Sequence, residues 1–233
     1  MSNILMIEAT GVSCSVALSV CGKIVSNEEV LKAEGRHSEI LAVMTDSVLK
    51  NKGDARIDAV ALSSGPGSYT GLRIGSSLAK GLALGWGVPM MAIDTLELMA
   101  FMTLDKYSDK IKEGDIIRPM IDARRMEVYT ADFDYRGFRL TKDKPLVIDK
   151  DNVAKDGGVV TYLVGNGAGK ARELVKGKDC IVIDGDILPL ARYMHDMANE
   201  KYCKKDFVDI AYFEPNYIKE YVAVVGKNKV LGK

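Results

Sequence analysis

The sequence predicts an α/β protein of two layered units, and three features of its pattern carry that prediction. Strand-like and helix-like apolar patterns alternate through residues 57–104, as they do where helices lie on a sheet. Apolar density then drops in DKYSDKIKEGD (105–115), a charged stretch expected to be an exposed connection. Beyond it the alternation restarts. The boundary therefore falls near residue 105, giving units of 1–104 and 105–233, although no Pro- or Ser-rich linker marks it.

Each element follows from a local pattern. ILMI (4–7) and CSVALSV (14–20) are β-rich runs, and KIVSNEEV (23–30) follows a turn at Gly22, so the three form a meander. Ile40, Leu41, Met44 and Val48 recur at three- and four-residue spacing and predict a helix over 38–50, ended by Asn51-Lys52-Gly53. IDAVALSS (57–64) reads as a buried strand. GPGSYTGLRIGSSLAKGLALGWG (65–87) predicts a helix from Thr70 or Gly71 to Gly85, followed by strand PMMAI (89–93) and helix TLELMAFMTL (95–104). In the second unit IIRPMID (116–122), MEVYTADFD (126–134) and FRLTKDKPLVI (138–148) read as strands. VTYLVG (160–165), a helix through KARELV (170–175), strand CIVI (180–183) and helix LARYMHDMA (190–198) complete it. EPNYIKEYVAVV (214–225) reads as a loop and a final short element, and GKNKVLGK (226–233) as a frayed end.

Composition excludes several function classes. Lys plus Arg number 32 and Asp plus Glu 32, so the net charge is zero, unlike proteins that grip nucleic acid unaided. Apolar residues make up 47 % and charged residues 27 %, an ordinary globular balance rather than a disordered one. No apolar run approaches the roughly 20 residues of a membrane span, and MSNILMIEAT lacks the basic start of a signal peptide. Cys14, Cys21, Cys180 and Cys203 form no C-x-x-C pair, which fits free thiols in a reducing compartment. A cytoplasmic location is expected.

The chemistry-bearing motifs are sparse. GNGAGK (165–170) follows a strand, yet a Walker loop would need Gly at Val164 and Ser or Thr at Ala171, and a dinucleotide fold would need Gly at Lys170. It reads as a plain turn. A metal pair on one helical turn with His37 would need a ligand at Leu41, and His195 stands alone. SSGPG (63–67) lacks the hydrolase elbow. Glu8 and Asp122 each end a strand. Two readings stand for them: carboxylates facing a cleft and holding metal-bound water, or caps on turns.

The glycine helix is the unusual feature. It falls in a segment (65–87) holding seven of the 22 glycines. Gly75, Gly81 and Gly85 each cost about 1 kcal/mol against Ala inside a helix. Gly71, Gly75, Ala79 and Ala83 form one smooth stripe, and Ser77, Gly81 and Gly85 a second. Smooth stripes let another backbone come close. One face packs on the sheet, and the other is open to a partner.

In order along the chain, ILMIEAT, GPGSYTGLRIG, IDARRMEVY and EPNYI resemble the successive motifs of the bacterial TsaB (YeaZ) family, and the resemblance covers essentially the whole sequence. It implies two ribonuclease-H-like subdomains of the actin and sugar-kinase superfamily, with mixed sheets flanked by helices. It also implies a role in making threonylcarbamoyladenosine beside the tRNA anticodon. In that family TsaD performs the transfer, the ATPase TsaE assists, and TsaB is the platform that binds and activates TsaD. The implied docking surface comprises Leu41, Met44, Val48, Tyr69, Thr70, Arg73, Gly75, Ala79 and Leu82, serving a homodimer when TsaD is absent. Glu8, Thr10, Ser13 and Asp122 would be a vestigial phosphate cleft, since Glu8 replaces the usual Asp and the Gly-rich loop shrinks to Thr10-Gly11-Val12-Ser13. Met126 stands where the family pattern has Gly. The expected function is a catalytically silent scaffold subunit, with ATP, ADP, metal and tRNA reserved for the assembled complex. The alternative from a different class is an active actin-like ATPase or small-molecule kinase using the interdomain cleft.

Overall fold

The structure is a computed structural model describing residues 2–33, 35–153, 158–176 and 179–219. It holds two mixed sheets with helices against them. In the first, β1 (Ile4–Glu8), β2 (Cys14–Val20) and β3 (Lys23–Val30) run antiparallel in sequence, while β4 (Ala59–Ser63) and β5 (Met90–Ile93) extend the sheet in parallel beyond β1, in the order β3-β2-β1-β4-β5. Register is fixed by burial: Ile4 pairs with Ser19 and Glu8 with Ser15, which puts Leu5, Ile7, Val16 and Leu18 on one face and Ile4, Met6 and Ala17 on the other.

Helices α1 (His37–Leu49) and α2 (Tyr69–Trp86) cover the first of those faces. Ser68 caps α2 by accepting the Gly71 N–H, and Gly87, at φ 65°, ends it in the left-handed conformation that glycine adopts without strain. α3 (Thr95–Tyr107), capped by the Asp94 carboxylate, lies on the opposite face. The break expected near residue 105 falls in the last turn of α3.

The second sheet has the order β11-β10-β6-β7-β9, made of β6 (Ile116–Asp122), β7 (Glu127–Thr130), β9 (Lys144–Val147), β10 (Thr161–Gly165) and β11 (Cys180–Asp184), with β8 (Phe133–Asp134) pairing β6. The run 126–134 is thus two strands rather than one. The run 138–148 pairs as a strand only over its last residues. Residues 139–143 instead spend their polar groups sideways: Thr141 Oγ1 accepts the Asp132 N–H and Arg139 pairs with Asp94 and Asp143. The helix expected through KARELV is a single 3-10 turn, Ala168–Ala171. Its backbone is held too tightly for a regular helix, because Gly167 abuts the Met120 carbonyl and Gly169 the Asp184 carboxylate.

The chain then returns to the first sheet. Ser13 Oγ donates to the Pro189 carbonyl at 2.9 Å and the Ala191 N–H to Ser15 Oγ at 2.8 Å. After a 3-10 turn (Ala191–Met194), α4 (His195–Lys204) fills the space between the sheets together with α3, where Ile93, Leu96, Met99, Phe133, Val164 and Met194 make one core. The helix expected over 190–198 therefore starts later and runs further. Residues 206–219 form a strap around the outer edge of β5: Val208 pairs with Met90, Phe213 lies under the Lys80 ammonium, and the Tyr217 ring packs on Tyr69. The expected final element and frayed end beyond 219 lie outside the described residues.

The two glycine stripes of α2 have opposite surroundings. A Cβ at Gly71 would stand 2.0 Å from the Ala9 carbonyl oxygen, whereas at Gly81 it would meet nothing within 4 Å. Gly71→Ala is therefore expected to cost more than about 3 kcal/mol, and Gly81→Ala to gain up to about 1 kcal/mol from helix propensity alone. Urea unfolding of the two variants checks both signs.

Candidate functional site

Two surfaces compete for the role of functional site: a cleft between the sheets and the outer face of α1 and α2. The cleft measures about 590 Å³, and its walls include Thr10, Gly11, His37, Ser38, Thr70, Asp122 and Arg124. Of the four expected cleft residues, Thr10 and Asp122 line it. Glu8 and Ser13 do not.

Glu8 turns inward. Its Oε1 accepts the Thr10 N–H at 2.6 Å and the Thr10 hydroxyl at 2.5 Å, and the side chain is fully buried. Burial raises its pKa above the ordinary 4.5, outweighing the hydrogen bonds from Ser63 and Thr10 that pull it down. Through Oε1 the group caps its own turn, while Oε2 is buried without a hydrogen-bond partner. Ser13, as described, is occupied by Pro189, and the Pro189 ring closes over Gly11, 3.5 Å from where a Cβ would stand.

The opposite wall is also satisfied from within. Asp122 Oδ1 accepts from Lys170 Nζ at 2.6 Å and from the Arg124 N–H at 2.5 Å. Lys170 donates as well to the Glu127 carbonyl at 2.8 Å, so the lysine of GNGAGK holds a turn together. Arg124 and Arg125 sit at φ 70° and 50°, which is how the 122–127 turn closes with Met126 where glycine was expected. His37 Nε2 lies 3.3 Å from the Ser13 carbonyl and His195 Nε2 3.1 Å from that of Gly22. Among the described residues no three His, Cys, Asp or Glu side chains are grouped to hold a metal ion.

The exposed face of each helix differs from expectation. Leu41, Met44 and Val48 point into the sheet, as do Gly75 and Ala79, the last against a core that leaves it no exposure. They are core residues and cannot line a surface. Tyr69, Thr70 and Arg73 are exposed at the start of α2, with the Arg73 guanidinium over the Tyr69 ring, and Leu82 is half-buried. What the two helices present outward is Val43 (67 % exposed), Leu84 (74 %), Ser77, Gly81 and Gly85. The second stripe, Ser77–Gly81–Gly85, was the signal in the sequence; the helix period places it opposite the buried first stripe.

Comparison with known proteins decides the kinship. A family model described as "TsaD: tRNA N6-adenosine threonylcarbamoyltransferase" matches residues 27–172. The tRNA threonylcarbamoyladenosine biosynthesis protein TsaB of Escherichia coli is 31 % identical, over 94 % of this chain and 96 % of that protein. The chain belongs to the TsaB family. The Haemophilus influenzae member is 27 % identical over 94 % of each chain. Two solved structures from Pseudomonas aeruginosa, one titled as similar to peptidase YEAZ and one as YeaZ, superpose with TM-scores of 0.81 and 0.78 at 24 % identity, covering 94 % and 93 % of this chain and 100 % of each of theirs. The fold is thus the family's, two mixed sheets flanked by helices. No helix among the described residues is long and apolar enough to cross a membrane.

The inward carboxyl has a measurable signature. The folded state holds the Glu8 proton above pH 4.5 while the unfolded chain releases it there, so stability is greatest on the acid side and falls as pH rises from 4.5. Glu8→Gln, which imitates the neutral acid, is expected to flatten that slope in thermal unfolding between pH 5 and pH 8. Glu8→Ala leaves the Thr10 groups unpaired and costs about 2 kcal/mol.

Proposed function

We propose that this chain is a non-catalytic scaffold and dimerisation subunit that binds TsaD and activates it for N6-threonylcarbamoylation of the adenosine beside the tRNA anticodon. The observation that carries the reading is the bare outer ridge of α2. Gly81 and Gly85 have open space where a side chain would stand, and Leu84 beside them is the second most exposed large apolar residue among those described. Two glycines in one exposed helix cost roughly 2 kcal/mol. A second helix pair lying against them offsets that cost, because absent side chains let the helix axes approach. Val43 on the neighbouring α1 extends the same face. A homodimer would use the same ridge, so the two assemblies compete.

The cleft supports the silent half of the reading. Two of the side chains on its walls are engaged within the chain, Thr10 with Glu8 and Asp122 with Lys170. Nucleotide and metal then belong to the assembled complex and to its ATPase TsaE, and a neutral chain leaves tRNA to be held mainly by the complex. In this scheme the unit 1–104 carries the docking helices, and 105–233 supplies the far wall of the cleft, with residues 187–213 returning to the first sheet.

Mixing the purified chain with TsaD and sizing the product tests the proposal. Leu84→Asp or Gly81→Trp is expected to weaken the complex at least thirtyfold, the size of a hot-spot loss of about 2 kcal/mol. Both sites face open space, so the monomer melts as the parent does. Lys112→Ala, on the exposed connection, changes nothing. Unaltered binding by both ridge variants refutes the docking face, and steady ATP hydrolysis by the isolated chain, lost in Asp122→Ala, establishes the kinase-like alternative instead.

A further inference from the structure

Where the two sheets meet beside α3, one guanidinium serves two carboxylates from distant parts of the chain. Arg139 Nη2 lies 2.8 Å from Asp94 Oδ1, and its Nη1 pairs with Asp143 Oδ1. Packing fixes the guanidinium, which lies over the Phe133 ring at 4.7 Å from the centroid. Asn216 of the strap joins the cluster by donating from Nδ2 to Asp143 Oδ2 at 2.7 Å. The same residue donates its main-chain N–H to the Ser64 carbonyl at 2.8 Å, just ahead of α2. Two acids and one cation leave a single negative charge on a cluster whose carboxylates are half-buried, and one proton removes it.

We propose that Asp94, Arg139, Asp143 and Asn216 form a proton-linked clasp that fastens the C-terminal strap across the start of α2 and loosens when Asp94 ionises. With Asp94 neutral, its hydroxyl donates to Asp143, which keeps its bonds to Arg139 and Asn216. With Asp94 ionised, the two carboxylates repel, and the one that yields carries the strap. The Asp94 carboxyl is pushed up to about 7, first by burial and then by Asp143, against the pull of Arg139 and of the Glu97 N–H. Those are the charged groups that act on it: Asp143 and Arg139 come from the 139–143 segment, Glu97 in its own helix offers only a backbone N–H, and the strap brings the uncharged Asn216 amide. An exposed Asp94 would titrate near 3.8. The grip is therefore complete on the acid side and lost as pH rises through about 7. Loosening releases Tyr217 from Tyr69, at the first turn of α2.

Hydrogen–deuterium exchange on the full chain at pH 6 and pH 8, expressed as protection factors, tests the clasp. The Val208 and Asn216 amides, bonded to Met90 and Ser64, are expected to lose about tenfold in protection at pH 8, one pH unit of linkage, while the amides of β1 do not change. Asp94→Asn keeps the helix cap and the neutral charge, so it holds the pH 6 value at both pH values. Asn216→Ala is weakly protected at both. If Asp94→Asn does not fold, Asp143→Asn, which removes the repelling charge, must abolish the pH dependence. Equal protection of the parent chain at both pH values, or loosening that persists in Asp94→Asn or Asp143→Asn, overturns the proposal.

Discussion

The first unit depends on one backbone-to-backbone approach. α2 begins so close to the end of β1 that a Cβ at Gly67 or Gly71 would run into the carbonyl of Thr10 or Ala9. No side chain fits between. That contact sets the height of α2 over the sheet, and the height sets everything lateral to it. α1 fills the remaining width with Leu41, Met44 and Val48, the Thr10–Ser13 loop is pinned under the helix start, and the strap finds Tyr69 where Tyr217 can reach it. A helix held by its backbone rather than by interlocking side chains can leave its outer face bare, and Ser77, Gly81 and Gly85 show that it does.

The same contact explains why the cleft is present yet preoccupied. Strand ends, a short loop and two helix starts converge there, an arrangement that in other proteins receives phosphate. Here the loop has given its hydroxyls to a buried acid and to the returning chain, and the facing wall has neutralised its aspartate with a lysine. Thr10 and Asp122 would each have to exchange an existing bond for one to a ligand.

Much of this was legible in the sequence. Period-two and period-three-to-four apolar patterns give α1, α2, α3 and most strands within a few residues, since burial on one face imposes those periods. The orientation of the helices was harder. Leu41, Met44 and Val48 form an apolar stripe that a partner could cover as well as a sheet, and only the position of the sheet decides between them. Likewise Gly71 and Gly81 look alike in sequence, though one sits against a carbonyl and the other faces solvent. KARELV has helical composition, but the tightness of Gly167 and Gly169 against distant backbone and carboxylate overrides it. The Asp94–Arg139–Asp143–Asn216 cluster was invisible, because its members span more than a hundred residues and no local pattern joins them.

The return of residues 187–213 to the first sheet bears on how the molecule is made. Pro189 and Ala191 seal the Gly11–Ser15 stretch, α4 completes the core beneath β5, and Val208 covers the edge of that strand. Ribosomes add roughly 5–20 residues per second, so after β5 emerges about ten seconds pass before its cover does. During that interval the β5 edge and the part of the sheet face that α4 later covers stand open, the kind of surface that invites association with other chains. Truncation before α4 would therefore take from the first sheet part of its core and the cover of its outermost strand.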